Sequence, residues 1–455
     1  MRTFALLLLL ASCAQDAPEE PTQPVAAELT VPDVDSVILI TVDTLRADYL
    51  GIHGGPARTP VMDKLASRSW NFDNCISASM LTNPSHASIM TSLYPKDHGV
   101  QDNSSGIADG VRTLAMAMQR QGFTTAALIN FPHLNPEVSN LGQGFGQIVR
   151  AIRDERSAAQ MSNQALSMLD NLGVNERYFM WLHYTDPHSP YEPSSEFSAR
   201  PWVGKKTPMA AAKKAAPGFL RKSPWFAKAF ERVPTVEAMV QKYVAEIENA
   251  DRGIGILLDG LTSRGLRPAI VLTSDHGENM GEHGLYFHHG GLYRSTVHVP
   301  LIVHVPGAAP VRIPGQVASV DIAATILDLV GAPRWEPMRG RSLTPVVLGH
   351  EPARDLVFSE HMLAQQVSVR SLDGTLILHR KPSRQFPTYP FVAGMKEVYD
   401  VHVDAGEEHD LGGGSPLGAI LGTALDGYLE AGLHLAARAP AEQDRESLRT
   451  LGYVE

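Results

Sequence analysis

Thr82 opens the most suggestive stretch of the chain, Thr82-Asn83-Pro84-Ser85-His86. Pro84 suits the first turn of a helix, where a missing N–H removes no hydrogen bond. Thr82 is then expected just before a helix N-terminus, where free N–H groups and the helix dipole favour an anion. A hydroxyl there can serve as an N-cap or as a nucleophile. Other side chains able to transfer protons or hold a cation end four apolar runs. Ser36–Val42 leads to Asp43, and Thr124–Ile129 leads to Asn130. Tyr178–Leu182 leads to His183, Asp186 and His188, and Ala269–Thr273 leads to Ser274, Asp275 and His276. Taken singly, Asp43 is a strand-end cap and Asp275-His276 a turn.

Near-continuous apolar runs of this length suit strands buried on both faces. Helical patterns lie between them at Val111–Gln121, Ala158–Leu172 and Val236–Leu261. The alternation predicts an α/β domain with a large, mostly parallel sheet flanked by helices. Ligands bind such sheets beyond the carboxyl ends of the strands, so Asp43, His188, Asp275 and His276 are expected to converge at that edge.

Composition narrows the class. The 455 residues carry 39 Lys+Arg and 49 Asp+Glu, a net charge of −10, which argues against general nucleic-acid binding. The two cysteines exclude a disulfide scaffold and a Cys-based zinc site. At the N-terminus, Arg2 and the apolar run Phe4–Ala11 form a signal peptide over residues 1–12, too short to span a bilayer. Leu10-Ala11-Ser12-Cys13 resembles a bacterial lipobox, in which the cysteine is lipidated. Residues 13–30 then suit a disordered tether rich in Pro, Glu and Ala. The expected location is the cell envelope, periplasmic or at the outer surface, with the membrane reached through the lipid anchor. Cys75 is expected to be a small buried hydrophobe.

Longer stretches carry a resemblance. Val37–Gly51, Thr59–Ala66, Thr82–His86 with Leu93-Tyr94-Pro95 and His98-Gly99-Val100, Asp186–Tyr191, Thr273–Gly284, Val299–Ile302, Asp321–Thr325 and Gly340–Leu343 occur in order. Residues 36–350 thereby resemble the sulfatase branch of the alkaline phosphatase superfamily. The resemblance implies an alkaline-phosphatase-like sandwich and hydrolysis of sulfate or phosphate esters. It implies one divalent ion, Ca²⁺, Mg²⁺, Mn²⁺ or Zn²⁺, held by Asp43, Asp275 and His276 with Thr82 Oγ1 completing the shell. A second ion from Asp186, His188 and His289 is not expected, because two-zinc relatives space the first two ligands more widely. His188 contacts the ester or the leaving oxygen. His289, by its spacing to Tyr293, stands ahead of His288 near the place of a family lysine that contacts the anion. Asn130 aligns roughly with a second substrate-binding lysine.

The departures matter as much. The family's nucleophile is a formylglycine made from Cys or Ser in Cys/Ser-x-Pro-x-Arg; Thr82 holds that position here, and His86 stands in place of the arginine. Thr82-x-Pro84-x-His86 is similar to the nucleophile segment of nucleotide pyrophosphatase/phosphodiesterases, and threonine also serves lipid-dependent phosphoethanolamine and phosphoglycerol transferases. Thr82, His188, His289 and His86 form the expected catalytic set, with phosphate or phosphonate esters favoured. The rivals are a sulfuric ester hydrolase in the strict sense, a head-group phosphotransferase and an inactive binding module. The substrate is an anionic ester, on a glycan or a lipid head group.

The catalytic domain is expected over 31–352, with a basic insertion at 192–235. Residues 200–232 hold nine basic side chains and one acid, with Trp and Phe interleaved, and suit a lid or a solvated surface. Residues 353–455 suit a small antiparallel sheet with one helix, Leu417–Ala436, and a short tail.

Overall fold

In the first strand, Ile38, Ile40 and Val42 project into one hydrophobic core while Val37 and Leu39 project into another. That two-sided burial is what a continuous apolar run requires. The computed structural model describes residues 30–151, 156–173, 176–194, 206–216, 221, 230–361, 365–382, 392–433, 435–439 and 441–442. The calls on Cys13, the tether, the C-terminal tail and most of the basic insertion lie outside them. No described helix is long and apolar enough to cross a membrane.

The large sheet is built from β1 (Val37–Val42), β2 (Trp70–Ile76), β3 (Thr124–Leu128), β4 (Gln147–Val149), β5 (Tyr178–Tyr184), β6 (Ala269–Ser274), β9 (His298–His304) and β10 (Val311–Ala318). Its order is β10-β2-β9-β6-β1-β5-β3-β4. Only β9 runs against its neighbours; every other pairing is parallel. β7 (Asn279–Met280) and β8 (Tyr286–His288) form a two-stranded ribbon. The helices Pro60–Ala66, Ala158–Leu169 and Val236–Ser263 cover one face of the sheet, and Thr82–Thr91, Leu114–Arg120 and Asp321–Leu329 cover the other. The predicted α/β sandwich is the observed one.

A second, antiparallel sheet follows in the order β11 (Val357–His361), β12 (Gln366–Arg370), β13 (Gly374–His379), β14 (Lys396–Asp400), with the helix Pro416–Glu430 packed on it. Gln316 Nε2 of β10 donates to Arg370 O of β12 at 3.0 Å, and a closer set of bonds joins β11 to the stretch after β2. Glu360 N donates to Ala78 O at 2.9 Å, Ser79 Oγ to Glu360 O at 2.8 Å and Ser359 Oγ to Ser77 O at 2.6 Å.

Three helix limits differ from expectation for local reasons. The second predicted helix starts at Leu114 because Thr113 Oγ1 accepts Met116 N and caps it. The last helix stops at Glu430, since Leu433 N and Leu435 N turn to Asp97 instead of continuing the helical ladder. Thr82 is the first residue of its helix, and Leu81 is the cap.

Candidate active site

The parallel register sets the site. Val42 of β1 lies opposite Ser274 of β6 and Tyr184 of β5, so the next residues, Asp43 and Asp275, leave the sheet side by side. One ligand atom each from Asp43, Asp275 and His276 falls within 4.8 Å of the others, and all three residues are buried. Asp275 Oδ1 is fixed by His276 N at 2.9 Å and Thr44 N at 3.3 Å. Asp275 Oδ2 is buried with no hydrogen-bond partner and lies 3.4 Å from His276 Nε2 and 3.7 Å from His86 Nδ1. Burial raises the Asp275 carboxyl above the ordinary range. A buried carboxylate oxygen without a donor, beside a second carboxylate and an imidazole nitrogen, fits a divalent cation.

The imidazole is preset for that role. His276 Nδ1 faces Gly277 O at 3.0 Å, and a carbonyl can only accept, so the ring proton sits on Nδ1. Burial lowers the ring's pKa to about 4, which keeps it neutral with a bare Nε2. Thr82 O–H donates to that nitrogen at 3.3 Å. All ten residues of the Thr82–Thr91 helix are buried, so its polar side chains face protein rather than solvent.

His188 and His289 complete the opening. The His289 ring lies 4.5 Å from the His276 ring and 6.1 Å from that of His188. His188 donates Nδ1–H to Ser189 O at 2.6 Å, which leaves Nε2 bare. Burial lowers the His188 pKa to about 4 and pushes that of His289 down as well. His288 is turned aside, its Nδ1 accepting Gly290 N at 3.0 Å.

Two other expected residues stand behind the site. His86 contacts Thr82 O through Nδ1 at 2.8 Å and Thr41 Oγ1 through Nε2 at 3.1 Å, with no solvent exposure. Asn130 accepts Arg156 N at 2.9 Å and donates to Arg156 O and Thr185 Oγ1 at 2.7 and 2.5 Å. Both brace the backbone. Asp186 is held by Ala158 N at 3.0 Å and Asn249 Nδ2 at 3.2 Å, which fixes the start of the His188 loop.

The sequence assigns no role to four neighbours. His183 Nε2 lies 3.5 Å from Asp43 Oδ2; its signal was its place opposite Thr41, visible only once the register is known. Ser85 Oγ and Ser77 Oγ both donate to Asp275 O, the former at 2.6 Å. Glu278 accepts Tyr191 OH at 3.1 Å and lies 3.8 Å from His289 Nδ1.

A model of the Sulfatase family matches residues 35–332, most of the chain, and one described as N-sulphoglucosamine sulphohydrolase, C-terminal, matches residues 281–414. The N-acetylglucosamine-6-O-sulfatase of Bacteroides thetaiotaomicron is 23% identical, over 87% of this chain and 85% of that protein. The choline-sulfatase of Rhizobium meliloti is 25% identical, over 74% and 76%. Among solved structures, a protein in complex with its substrate D-glucosamine-2-N,6-O-disulfate superposes with a TM-score of 0.71 at 19% identity, covering 88% of this chain and 99% of that one. The phosphonate monoester hydrolase of Agrobacterium radiobacter superposes with a TM-score of 0.68 at 19% identity, covering 87% and 95%. These likenesses show a shared fold. With the family model running from the start of β1 past the end of the Asp321–Leu329 helix, and the Asp43–Asp275–His276 group within its span, the chain belongs to the sulfatase family, whose members hydrolyse ester bonds.

Proposed function

We propose that Thr82 is the nucleophile of a metal-dependent ester hydrolase that favours phosphate or phosphonate esters. The observation that carries this is the Thr82 hydroxyl, donating to His276 Nε2 at 3.3 Å inside the buried Asp43–Asp275–His276 group. Those three residues with Thr82 Oγ1 would hold one divalent ion. When bound, it supplies positive charge that eases loss of the Thr82 proton and offsets charge on the ester oxygens.

Thr82 Oγ1, its proton released to water, attacks phosphorus, forming the Oγ1–P bond as the bond to the leaving oxygen breaks. His188 and His289 lie where they can give that oxygen its proton. Burial holds both rings neutral in the free protein, and an anionic ester beside them favours the imidazolium. Water then attacks phosphorus, the Oγ1–P bond breaks, and Thr82 regains its proton. His86 and Asn130 keep the backbone behind Thr82 and the His188 loop in place.

The preference for phosphorus rests on this second step. A formylglycine hydrate keeps a spare hydroxyl with which to expel sulfate, and a threonine has none, so a sulfated Thr82 would wait for direct attack by water. A sulfuric ester hydrolase in the strict sense is the second reading. It is favoured by the family model across residues 35–332 and by relatives named as sulfatases of sulfated sugars, whose names make a sulfated or phosphorylated glycan the substrate to try first. The Leu10–Cys13 segment supports anchoring to the cell envelope, which labelling with radioactive palmitate in the wild type and in Cys13→Ala would test.

The deciding experiment compares matched aryl sulfate, phosphate monoester, phosphodiester and phosphonate monoester, each with Mn²⁺, Zn²⁺, Mg²⁺ and Ca²⁺, in the wild type and Thr82→Ala. Turnover of a phosphorus ester that falls by about 10³-fold or more in Thr82→Ala is the expected result. Thr82-dependent turnover of the sulfate ester above the phosphorus esters would favour the second reading.

A further inference from the structure

His289 reaches the opening with its side chain 22% exposed and its Nδ1 buried without a hydrogen-bond partner. The ring of His188 is fixed by its own bond to Ser189 O. The place of the His289 ring is set instead by its backbone and by the rings beside it, and that backbone is held from outside the loop.

Asn279, the first residue of β7, holds the part nearest the ring and is fully buried. Its Nδ2 donates to His288 O and to Gly290 O, both at 2.8 Å, so one amide grips the chain on either side of His289. Its Oδ1 accepts Ser295 Oγ at 2.7 Å, from the short helix Arg294–Val297 that follows the loop. A side-chain amide offers two N–H donors and one carbonyl, and here each is used. The two backbone carbonyls can only accept, which fixes the way round that the amide sits. Farther along, Thr296 Oγ1 donates to Gly291 O at 2.7 Å, Arg370 Nη2 to Leu292 O at 2.6 Å and Tyr293 OH to Glu397 Oε2 at 3.1 Å. Those bonds come from other elements and fix the far end of the loop, while the carbonyls that flank His289 share Asn279.

We propose that Asn279 is the positioning residue for His289 and acts on the reaction only through the place it gives that ring. This rests on the role given to His289 in the proposed function. A displacement of about 1 Å at a reacting group can cost on the order of a hundredfold in rate, and an amide gripping both flanks of the residue prevents it.

The test is a double-mutant cycle on the Mn²⁺-loaded protein, with whichever of the four aryl esters the wild type turns over best. Asn279→Ala is expected to lower kcat by about ten- to a hundredfold with little change in KM. Its Mn²⁺ affinity, measured by calorimetry, should match the wild type, because Asn279 bonds to none of Asp43, Asp275 and His276. In a His289→Ala background the same substitution should cost nothing further, since residues acting through one group are not additive. Where Asn279→Ala is too unstable to purify, Ser295→Ala takes its place: it removes only the bond that fixes the rotation of the amide, and its smaller loss of kcat should likewise vanish in His289→Ala. An equal loss in both backgrounds, or full kcat in the folded variants, overturns the inference while leaving the role of His289 intact. Full turnover in His289→Ala alone overturns that role, and the inference with it.

Discussion

Among single residues, the least expected is His183. It lies within β5 among apolar and aromatic side chains and is fully buried, yet its Nε2 reaches to 3.5 Å from Asp43 Oδ2 while Nδ1 meets Thr41 Oγ1 at 3.2 Å. Trp181 Nε1 and His86 Nε2 meet the same hydroxyl, at 3.0 and 3.1 Å. Thr41 is thus a hub through which three rings fix the direction of a carboxylate. Partners that orient a ligand side chain typically change metal affinity 10- to 100-fold when lost. His183→Gln should therefore weaken Mn²⁺ binding by about that factor, with the circular dichroism spectrum retained. Unaltered Mn²⁺ affinity in a folded variant would mean that Asp43 is held without His183.

The elements that position the site are tied by buried polar contacts, and one is pH-sensitive. Asp186, after β5, binds Ala158 N at the start of one helix and Asn249 on the long Val236–Ser263 helix. Glu246 lies one turn before Asn249, and burial, with Asp186 beside it, pushes its carboxyl up to about 9. The folded chain keeps this proton while an unfolded glutamate releases it near pH 4.3, about the ordinary value. Stability must then fall as pH rises from about 4.3 to about 9. Melting temperatures measured across that window should decline more steeply in the wild type than in Glu246→Gln. Equal slopes would assign the proton elsewhere. These contacts also divide what the sequence discloses from what it hides. β1, β3, β5 and β6 are legible because strands buried on both faces are apolar throughout. β10 is not, for it is an edge strand with alternating exposure, Pro314, Gly315 and an irregularity between Ile313 and Gln316. In the site, Asp43, Asp275 and His276 are legible as polar ends of legible strands. His183 and Ser85 are not, because their roles depend on register and on a helix packed across the sheet.

For the molecule as a whole, the decisive feature is the seam between the two sheets. β11 does not merely pack on the large domain; Ser359 and Glu360 bond to Ser77, Ala78 and Ser79, the backbone that leads into Thr82. Ser77 in turn donates to Asp275 O. Ser359→Ala leaves the buried Ser77 carbonyl without this donor, a loss of about 1–3 kcal/mol. It should lower both the melting temperature and turnover, although Ser359 lies beyond the seam from Thr82. A lowered melting temperature with full turnover would show that residues 77–81 keep their course without the small sheet.

The same seam fixes an order of events in the making of the protein. A ribosome releases the chain from its N-terminus, and Ser77–Leu81 emerges well before Val357–His361, its partner. At about 5–20 residues per second that interval is on the order of tens of seconds. Throughout it the segment leading into Thr82 lacks its bonds from β11, and a chain made only as far as residue 350 carries Asp43, Thr82, Asp275 and His276 without that support.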